Sequence, residues 1–219
     1  MNRKPSLTLT QPMASWLLTV TFVILSFAIR PSANAAVIYS GVQNIAIPTT
    51  FDGVYLDIDT VTTSTSVITG WDINPFFGGF ALGNSAAFQP VRIGTGNSDT
   101  ILNLAYGTLV DSLLNYATGE AGSSDHIGGG ANQFTDGASG YLGFKFTTNS
   151  NAGPFYGWMH LTLTANTSGA TIHEWAYDNT GSGIYIGSLT AVPEPSRAML
   201  LLIGLTSAFF RRQRHRTAA

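Results

Sequence analysis

Residues 141–164 read YLGFKFTTNSNAGPFYGWMHLTLT, and this stretch decides the fold. Apolar side chains occupy alternate positions on each side of a short segment rich in Asn, Gly and Pro. A period of two is typical of half-buried β-strands, because successive side chains of a strand point to opposite faces of its sheet. The larger apolar residues of the pattern are Leu142, Phe144, Phe146, Phe155, Met159, Leu161 and Leu163. The stretch therefore predicts two strands, each with one apolar face.

Outward from this stretch, other segments rich in β-branched and aromatic residues predict further strands. They cover residues 54–58, 61–73, 171–177 and 183–189. Clusters of Gly, Asn, Ser and Pro predict turns at residues 75–83, 94–97, 149–154, 166–169 and 178–183. Short strands with frequent turns indicate a single all-β domain over residues 36–190, an antiparallel β-sandwich or jelly roll. Residues 102–116 fit either a short helix or a strand, and the Gly-rich residues 119–140 predict either a mobile surface loop or a long connection between strands.

Charge divides the chain of 219 residues into three parts, although the net charge of the whole is only -2. Residues 36–190 contain 11 acidic residues against Arg92 and Lys145, whereas the two ends carry the other eight of the ten basic residues and a single acid, Glu194. The middle part therefore has a net charge of -9. An acidic body argues against nucleic acid as a partner, because binding to phosphates needs a basic face. The absence of cysteine excludes a disulfide scaffold, a thiolate zinc site and an iron–sulfur cluster.

The N-terminal end, residues 1–35, predicts a secretory signal helix. Arg3 and Lys4 precede an apolar stretch at residues 16–29, and Ala33-Asn34-Ala35 matches a small-x-small cleavage site. Cleavage by signal peptidase after Ala35 makes Ala36 the first residue of the mature chain. An uncleaved anchor helix is the alternative interpretation.

The C-terminal end, residues 191–216, combines three features in a fixed order. Pro193-Glu194-Pro195 is followed by an apolar run at residues 198–210 and by a cluster of basic residues. The cluster comprises Arg211, Arg212, Arg214 and Arg216. A helix of this apolar run is about 20 Å long, which is short for a hydrocarbon core of about 30 Å. The arginines are expected to stay on the cytoplasmic side, so that residues 36–190 lie outside the membrane.

These residues resemble a PEP-CTERM sorting signal. The resemblance implies that the chain is exported across the inner membrane of a Gram-negative bacterium and recognised there by an exosortase, an integral-membrane enzyme. It also implies transient membrane anchoring through a short transmembrane helix, followed by release to the cell envelope, the outer surface or an exopolysaccharide matrix. Pro193, Glu194 and Pro195 are then the recognition motif of a substrate. A plain C-terminal membrane anchor is the alternative, and Arg197 departs from the usual pattern of such signals.

A second resemblance covers residues 141–189. Tyr141-Leu-Gly-Phe-Lys-Phe, Tyr156-Gly-Trp158, Trp175-Ala176-Tyr177 and Gly187 are similar to a recurring ectodomain of PEP-CTERM proteins. That ectodomain is β-rich and has no assigned activity, so the resemblance implies the fold class and no catalytic residue.

The body carries no recognisable catalytic motif. His126, His160 and His173 show no His-x-His or His-Glu-x-x-His spacing, and no Gly-x-Ser-x-Gly turn is present. Each histidine is interpreted as a surface or hydrogen-bonded strand residue, and alternation assigns His173 to the same face as Trp175. The carboxylate pairs Asp57/Asp59 and Glu174/Asp178 are common on solvated strands. The sequence thus predicts a structural or adhesive protein, not an enzyme, with no cofactor.

Two ligand-binding hypotheses stand beside this prediction. Exposed Trp71, Trp158 and Trp175, with nearby tyrosines, would stack on the sugar rings of exopolysaccharide, whereas buried tryptophans would simply be core residues. Asp57 and Asp59 would bind Ca²⁺ together with a loop carbonyl, although no EF-hand motif is present. The alternative for the carboxylates is that they keep a strand face solvated.

Overall fold

The computed structural model describes residues 36–117 and 125–190. All of them belong to one compact unit, Ala35–Glu194. The predicted signal segment with Ala33 and Ala35 lies outside the described residues. The predicted sorting segment, with its Pro-Glu-Pro motif and its arginines, also lies outside them, as do residues 118–124 of the predicted loop.

The described residues form an all-β structure. The strands are β1 Val37–Tyr39, β2 Ile45–Ala46, β3 Tyr55–Asp57, β4 Thr62–Ser64, β5 Ile73–Phe76, β6 Ala81–Asn84, β7 Phe88–Pro90, β8 Asn103–Leu104, β9 Leu109–Val110, β10 Ser139–Phe146, β11 Phe155–Thr162, β12 Thr171–Asp178 and β13 Ile184–Tyr185. The pairings between these strands are antiparallel. One 3₁₀ turn, Phe77–Gly79, connects β5 and β6. The prediction of an antiparallel all-β fold is confirmed. Within residues 36–117 and 125–190, no helix is long and apolar enough to cross a membrane.

Three sheets make up this structure. A seven-stranded sheet has the order β1-β12-β11-β10-β7, with β2 also pairing with β12 and β8 with β10. A four-stranded sheet has the order β4-β3-β5-β6, and a two-stranded sheet joins β13 and β9. The eight-residue strands β10, β11 and β12 form the centre of the largest sheet. Residues 141–164 therefore form most of β10 and all of β11, two of these three central strands.

The seven-stranded sheet carries apolar side chains on both faces. On the face that we call inner, Phe144, Met159 and Trp175 belong to one core cluster with residues of the four-stranded sheet, among them Leu56 and Ile73. On the face that we call outer, a second cluster joins this sheet to the two-stranded sheet. Members of the second cluster are Val91, Val110, Tyr156, Trp158, Ala176, Ile184 and Ile186. Burial on both faces explains why this sheet is so rich in aromatic residues.

A β-bulge interrupts the alternation between β11 and β12. His160 pairs with Glu174, but Leu161 pairs with Ile172, so His173 has no residue directly opposite. Because of this extra residue, the side chains of β12 before the bulge no longer alternate in phase with the side chains after it. Consequently His173 contacts His160 on the outer face, with ring centroids 4.7 Å apart, while Trp175 points into the inner core. The predicted placement of His173 on the face of Trp175 is wrong for this reason.

Several predicted boundaries also differ from the structure. The predicted strand at residues 61–73 is only β4, followed by turns up to the start of β5. The predicted turn at residues 75–83 instead contains the end of β5, the 3₁₀ turn and most of β6, because only Gly78 and Gly79 are needed to reverse the chain there. Residues 102–116 contain the short strands β8 and β9, and no helix. Of the predicted strand at residues 183–189, only the two residues of β13 form a strand.

The described part of the Gly-rich segment is packed on the body, which agrees with the predicted long connection between strands and not with the predicted mobile loop. His126 and Phe134 are each 0% exposed. The backbone N–H of Phe134 donates to the carbonyl of His126 at 2.7 Å, and His126 Nε2 lies 2.8 Å from the carbonyl oxygen of Gly79. One buried aromatic ring and one buried imidazole are thus enough to hold a segment that is otherwise polar.

Candidate functional site

Three carboxylates converge beside the four-stranded sheet. Asp57, Asp59 and Asp72 each offer an oxygen, and these oxygens lie within 4.8 Å of one another. Asp57 and Asp72 are each 3% exposed, and Asp59 is half-buried. The sequence predicted the first two as a candidate Ca²⁺ site. Asp72 was missed, because the predicted strand over residues 61–73 gave no reason to place it beside Asp57.

Strand pairing brings Asp72 to the cluster. Asp57 is the last residue of β3 and Asp72 immediately precedes β5. These two strands pair through Leu56 and Ile73, and the N–H of Asp72 donates to the carbonyl of Leu56 at 2.8 Å. Asp59 lies in the turn that follows β3. The antiparallel register therefore fixes all three carboxylates at one end of the sheet.

Hydrogen bonds hold each carboxylate in place. Ile58 N–H donates to Asp72 Oδ2 at 2.8 Å, and Thr60 N–H donates to Asp57 Oδ1 at 3.0 Å. Asn149, at the start of the β10–β11 turn, donates from its side chain to Asp57 Oδ2 at 2.8 Å. Its backbone N–H donates to Asp59 Oδ2 at 3.2 Å. Asn149 thus ties the cluster to the seven-stranded sheet.

Burial, and after it the contacts among the three carboxyls, shift the pKa values of the cluster. Burial, with smaller contributions from the charges of Asp57 and Asp59, raises the pKa of Asp72 from its usual 3.8 to about 7. Burial also raises the pKa of Asp59, and its hydrogen-bonded neighbour Asp57 adds to this. Burial opposes the ionisation of Asp57, but hydrogen bonds from Asp59, Thr60 and Asn149 outweigh it, so that the pKa of Asp57 is lowered. Near neutral pH the cluster holds a proton that a cation of suitable size would replace.

The chemistry of the cluster suits a hard divalent cation. Carboxylate oxygens are the preferred ligands of Ca²⁺, which takes 6–8 oxygen ligands at roughly 2.3–2.6 Å. Three carboxylates supply part of that number, and solvent and backbone carbonyls would complete it. Among the residues that the structure describes, this is the one group of three or more acidic or imidazole side chains with converging ligand atoms.

The three tryptophans considered for sugar stacking lie in three different environments. Trp158 is 2% exposed on the outer face and donates through Nε1 to the carbonyl of Ser188 at 3.2 Å. Trp175 is 1% exposed and points into the inner core. Trp71 is half-buried and packs edge-on against Tyr55, with centroids 5.3 Å apart. They do not provide the row of exposed rings that sugar stacking requires.

The remaining polar candidates are separated from the carboxylate cluster. Asp178 is fully buried and accepts hydrogen bonds from Thr180 and Ser182, which stabilise the turn after β12. Its predicted partner Glu174 lies on the outer face, 3.7 Å from Nδ1 of His160. Glu174 and Asp178 therefore do not act as a pair.

No protein-family model, curated protein or solved structure matches this chain.

Proposed function

We propose that this chain is an exported surface protein with a structural or adhesive role, sorted through its C-terminal segment by an exosortase. The observation that carries the proposal is the order of three elements at the C-terminus. Pro193-Glu194-Pro195 comes first, an apolar run follows, and an arginine cluster closes the segment, in a chain that begins with a signal-like segment. The two prolines favour an extended backbone, which is the form that proteases and transpeptidases grip.

The packing, cysteine content and charge of residues 36–190 suit an exported protein. We infer a sandwich-like packing in which the four-stranded and seven-stranded sheets cover one apolar core, with the short two-stranded sheet on the outer face. Such a body has no cysteine to oxidise, and its formal net charge of -9 favours solubility at the envelope or in an exopolysaccharide matrix. The proposed partners are signal peptidase, the secretion machinery, an exosortase and exopolysaccharide.

Mass spectrometry of the protein from fractionated host cells tests the sorting proposal. We expect the wild-type chain to begin at Ala36 and to end within or just after Pro193-Glu194-Pro195. Glu194→Ala is expected to retain the complete C-terminus and to remain in the inner membrane, because the motif has lost its only charge. Ser196→Ala, directly beside the motif, is the matched control and is expected to be processed like wild type.

An intact wild-type C-terminus in the inner-membrane fraction would contradict sorting and reduce the segment to an anchor. Equal processing of wild type and Glu194→Ala would remove the Pro-Glu-Pro motif as the recognition element.

A second candidate function is Ca²⁺ binding by Asp57, Asp59 and Asp72. The favouring observation is that three carboxylates, two of them buried, face one another within 4.8 Å. At pH 8 we expect Ca²⁺ to raise the melting temperature by about 3–6 °C when its concentration is about ten times the dissociation constant. Asp57→Asn should abolish this shift.

The control is Asp52→Asn, which removes an exposed carboxylate of the same loop region outside the cluster. If Asp52→Asn weakens the Ca²⁺ response as much as Asp57→Asn, or if wild type shows no response at millimolar Ca²⁺, the cluster is not a cation site.

A further inference from the structure

The outer face of the seven-stranded sheet carries a small cleft with aromatic walls. Its lining includes Tyr39 of β1, Tyr141 of β10, Trp158 of β11 and Glu174 of β12, with Tyr106 from the turn between β8 and β9. The cleft encloses about 150 Å³. This is smaller than the roughly 300 Å³ at the lower end of sites for drug-sized ligands, so it fits one chemical group of a ligand.

We propose that this cleft binds a quaternary ammonium group of a small organic cation, held by the tyrosine rings and the carboxylate of Glu174. The proposal goes beyond surface display and does not depend on the C-terminal segment.

The angles between the rings favour a cation over a sugar. Tyr106 and Tyr141 have centroids 6.1 Å apart and an interplanar angle of 65°, and Tyr141 and Trp158 have centroids 6.0 Å apart at 78°. Rings at such angles form a corner, whereas a pyranose stacks on a flat platform. One face of Tyr141 stacks on His160, with centroids 4.8 Å apart. We infer that the uncovered faces of Tyr39, Tyr106 and Tyr141 bind the ammonium group, because quaternary ammonium ligands are attracted to the electron-rich faces of aromatic rings.

Glu174 adds a negative charge to this corner. Regular alternation with Trp175, which points into the inner core, places Glu174 on the outer face, where its Oε2 accepts a hydrogen bond from the hydroxyl of Tyr39. Its Oε1 is 3.7 Å from Nδ1 of His160. Burial, and then the neighbouring His173, lower the pKa of His160, so that the imidazole is neutral and does not compete for the carboxylate at neutral pH. The charge of Glu174 is therefore available to a cationic ligand.

The rest of the lining offers little to other ligand classes. It contains no amide side chain and no basic side chain; the remaining residues are Gly187 and Leu189. The indole N–H of Trp158 already donates to Ser188. A sugar or an anion would find few donors here, whereas a methylated ammonium group needs none. The net charge of -9 over residues 36–190 adds a long-range attraction for cations.

Gly187 allows Tyr106 to close one side of the cleft. Gly187 has φ of 77°, and a Cβ on it would lie 2.0 Å from Cε2 of Tyr106. Any other residue at this position would displace the ring and strain the backbone. Gly187→Ala is therefore a variant that removes one wall of the cleft without changing a charge.

Calorimetric titration of the full chain in a polyoxyethylene detergent tests the proposal. The probes are choline chloride and 3,3-dimethylbutan-1-ol, a neutral molecule of the same shape, at constant ionic strength. We expect saturable binding of choline at least about tenfold tighter than that of the neutral analogue. Glu174→Gln and Gly187→Ala are each expected to weaken choline binding by about tenfold, while their melting curves show that both fold.

The matched control is Asp52→Asn, which removes one negative charge from an exposed position away from the cleft. Unchanged choline binding by this variant supports a specific site, and equal weakening would mean that only overall charge attracts the ligand. Equal affinity for the neutral analogue, binding of glucose in place of choline, or no saturable binding at millimolar choline would each overturn the proposal. Glycine betaine, a free solute, and phosphocholine, a lipid-type headgroup, carry the same trimethylammonium group next to different anionic groups. Comparing their affinities then distinguishes a free solute from a lipid headgroup as the source of the ligand.

Discussion

Phe144→Ala is expected to lower the free energy of unfolding by about 3–5 kcal/mol, which is typical for removing a large aromatic side chain from a core. Phe144 is 0% exposed on the inner face of β10. Its ring stacks on Phe88 with centroids 4.9 Å apart and contacts Phe146 edge-on at 5.7 Å. The measurement is urea unfolding followed by tryptophan fluorescence, since Trp158 lies on the neighbouring strand β11 and Trp175 on β12, one strand further away.

The residue directly opposite on β11 cannot fill the cavity left by this substitution, because it is a glycine. Phe144 pairs with Gly157 on β11, and a Cβ on Gly157 would lie 2.3 Å from Cζ of the phenylalanine ring. The ring therefore occupies the space that a side chain at position 157 would take, and a glycine cannot expand into it. Incomplete relaxation of this kind is what raises the cost of large-to-small substitutions.

Phe51→Ala is the matched control, because it makes the same chemical change at a ring that is 74% exposed. Phe51 contacts Phe76 and Phe77 at centroid distances of 5.8 and 5.9 Å, so we expect a loss of about 1 kcal/mol or less. If the two variants lose equal stability, the inner core is not organised around Phe144 as described.

The alternation of apolar residues was sufficient to predict β10 and β11, because one face of each strand meets the inner core and its side chains therefore repeat with a period of two. β12 was predicted instead from its β-branched and aromatic residues, since the bulge interrupts its alternation. The prediction was weakest where strands are two to four residues long, as in β8, β9 and β13, because so few positions cannot display a period.

The positions of the polar and aromatic residues of the candidate sites could not be predicted from alternation. A single bulge places His173 on the outer face beside His160, on the same face as its neighbour Glu174, and no residue pattern in the sequence predicts the bulge. Burial of Trp158 follows from the two-stranded sheet that covers the outer face, a contact between segments distant in sequence. The position of Asp72 beside Asp57 likewise depends on the register of β3 and β5, which periodicity alone does not fix.

Asp72→Asn is expected to make the protein more stable than wild type at pH 8 by about 2–4 kcal/mol, in the presence of a chelator. The carboxyl of Asp72 has a pKa of about 7 in the folded state, against a usual value of 3.8. Between these two values the folded state holds a proton that the unfolded state has lost. Stability therefore falls as pH rises from about 4 to about 7, by about 1.4 kcal/mol per unit of pKa difference.

The asparagine variant avoids this loss because its side chain stays neutral at every pH. Its carbonyl oxygen can still accept the hydrogen bond that Ile58 N–H donates to Asp72 Oδ2. At pH 5 the difference should shrink to about 1–2 kcal/mol, because the folded wild-type carboxyl is still neutral there while the carboxyl of the unfolded chain is already ionised. Urea unfolding at pH 5 and pH 8 measures the difference. The exposed Asp52→Asn serves as the control, with the same small effect expected at both values.

The comparison of wild type with Asp72→Asn also shows whether a proton or a metal cation neutralises the cluster in the folded protein. Two further carboxyls titrate there in opposite directions: the raised pKa of Asp59 steepens the loss of wild-type stability with pH, and the lowered pKa of Asp57 reduces it. If Ca²⁺ replaces the lost proton, adding it at pH 8 should restore wild-type stability and leave Asp72→Asn nearly unchanged, because the variant has fewer charges to neutralise. A wild type whose stability is equal at pH 5 and pH 8 in chelator would show that Asp72 is already ionised without cost, and the three carboxylates would then not be crowded as described.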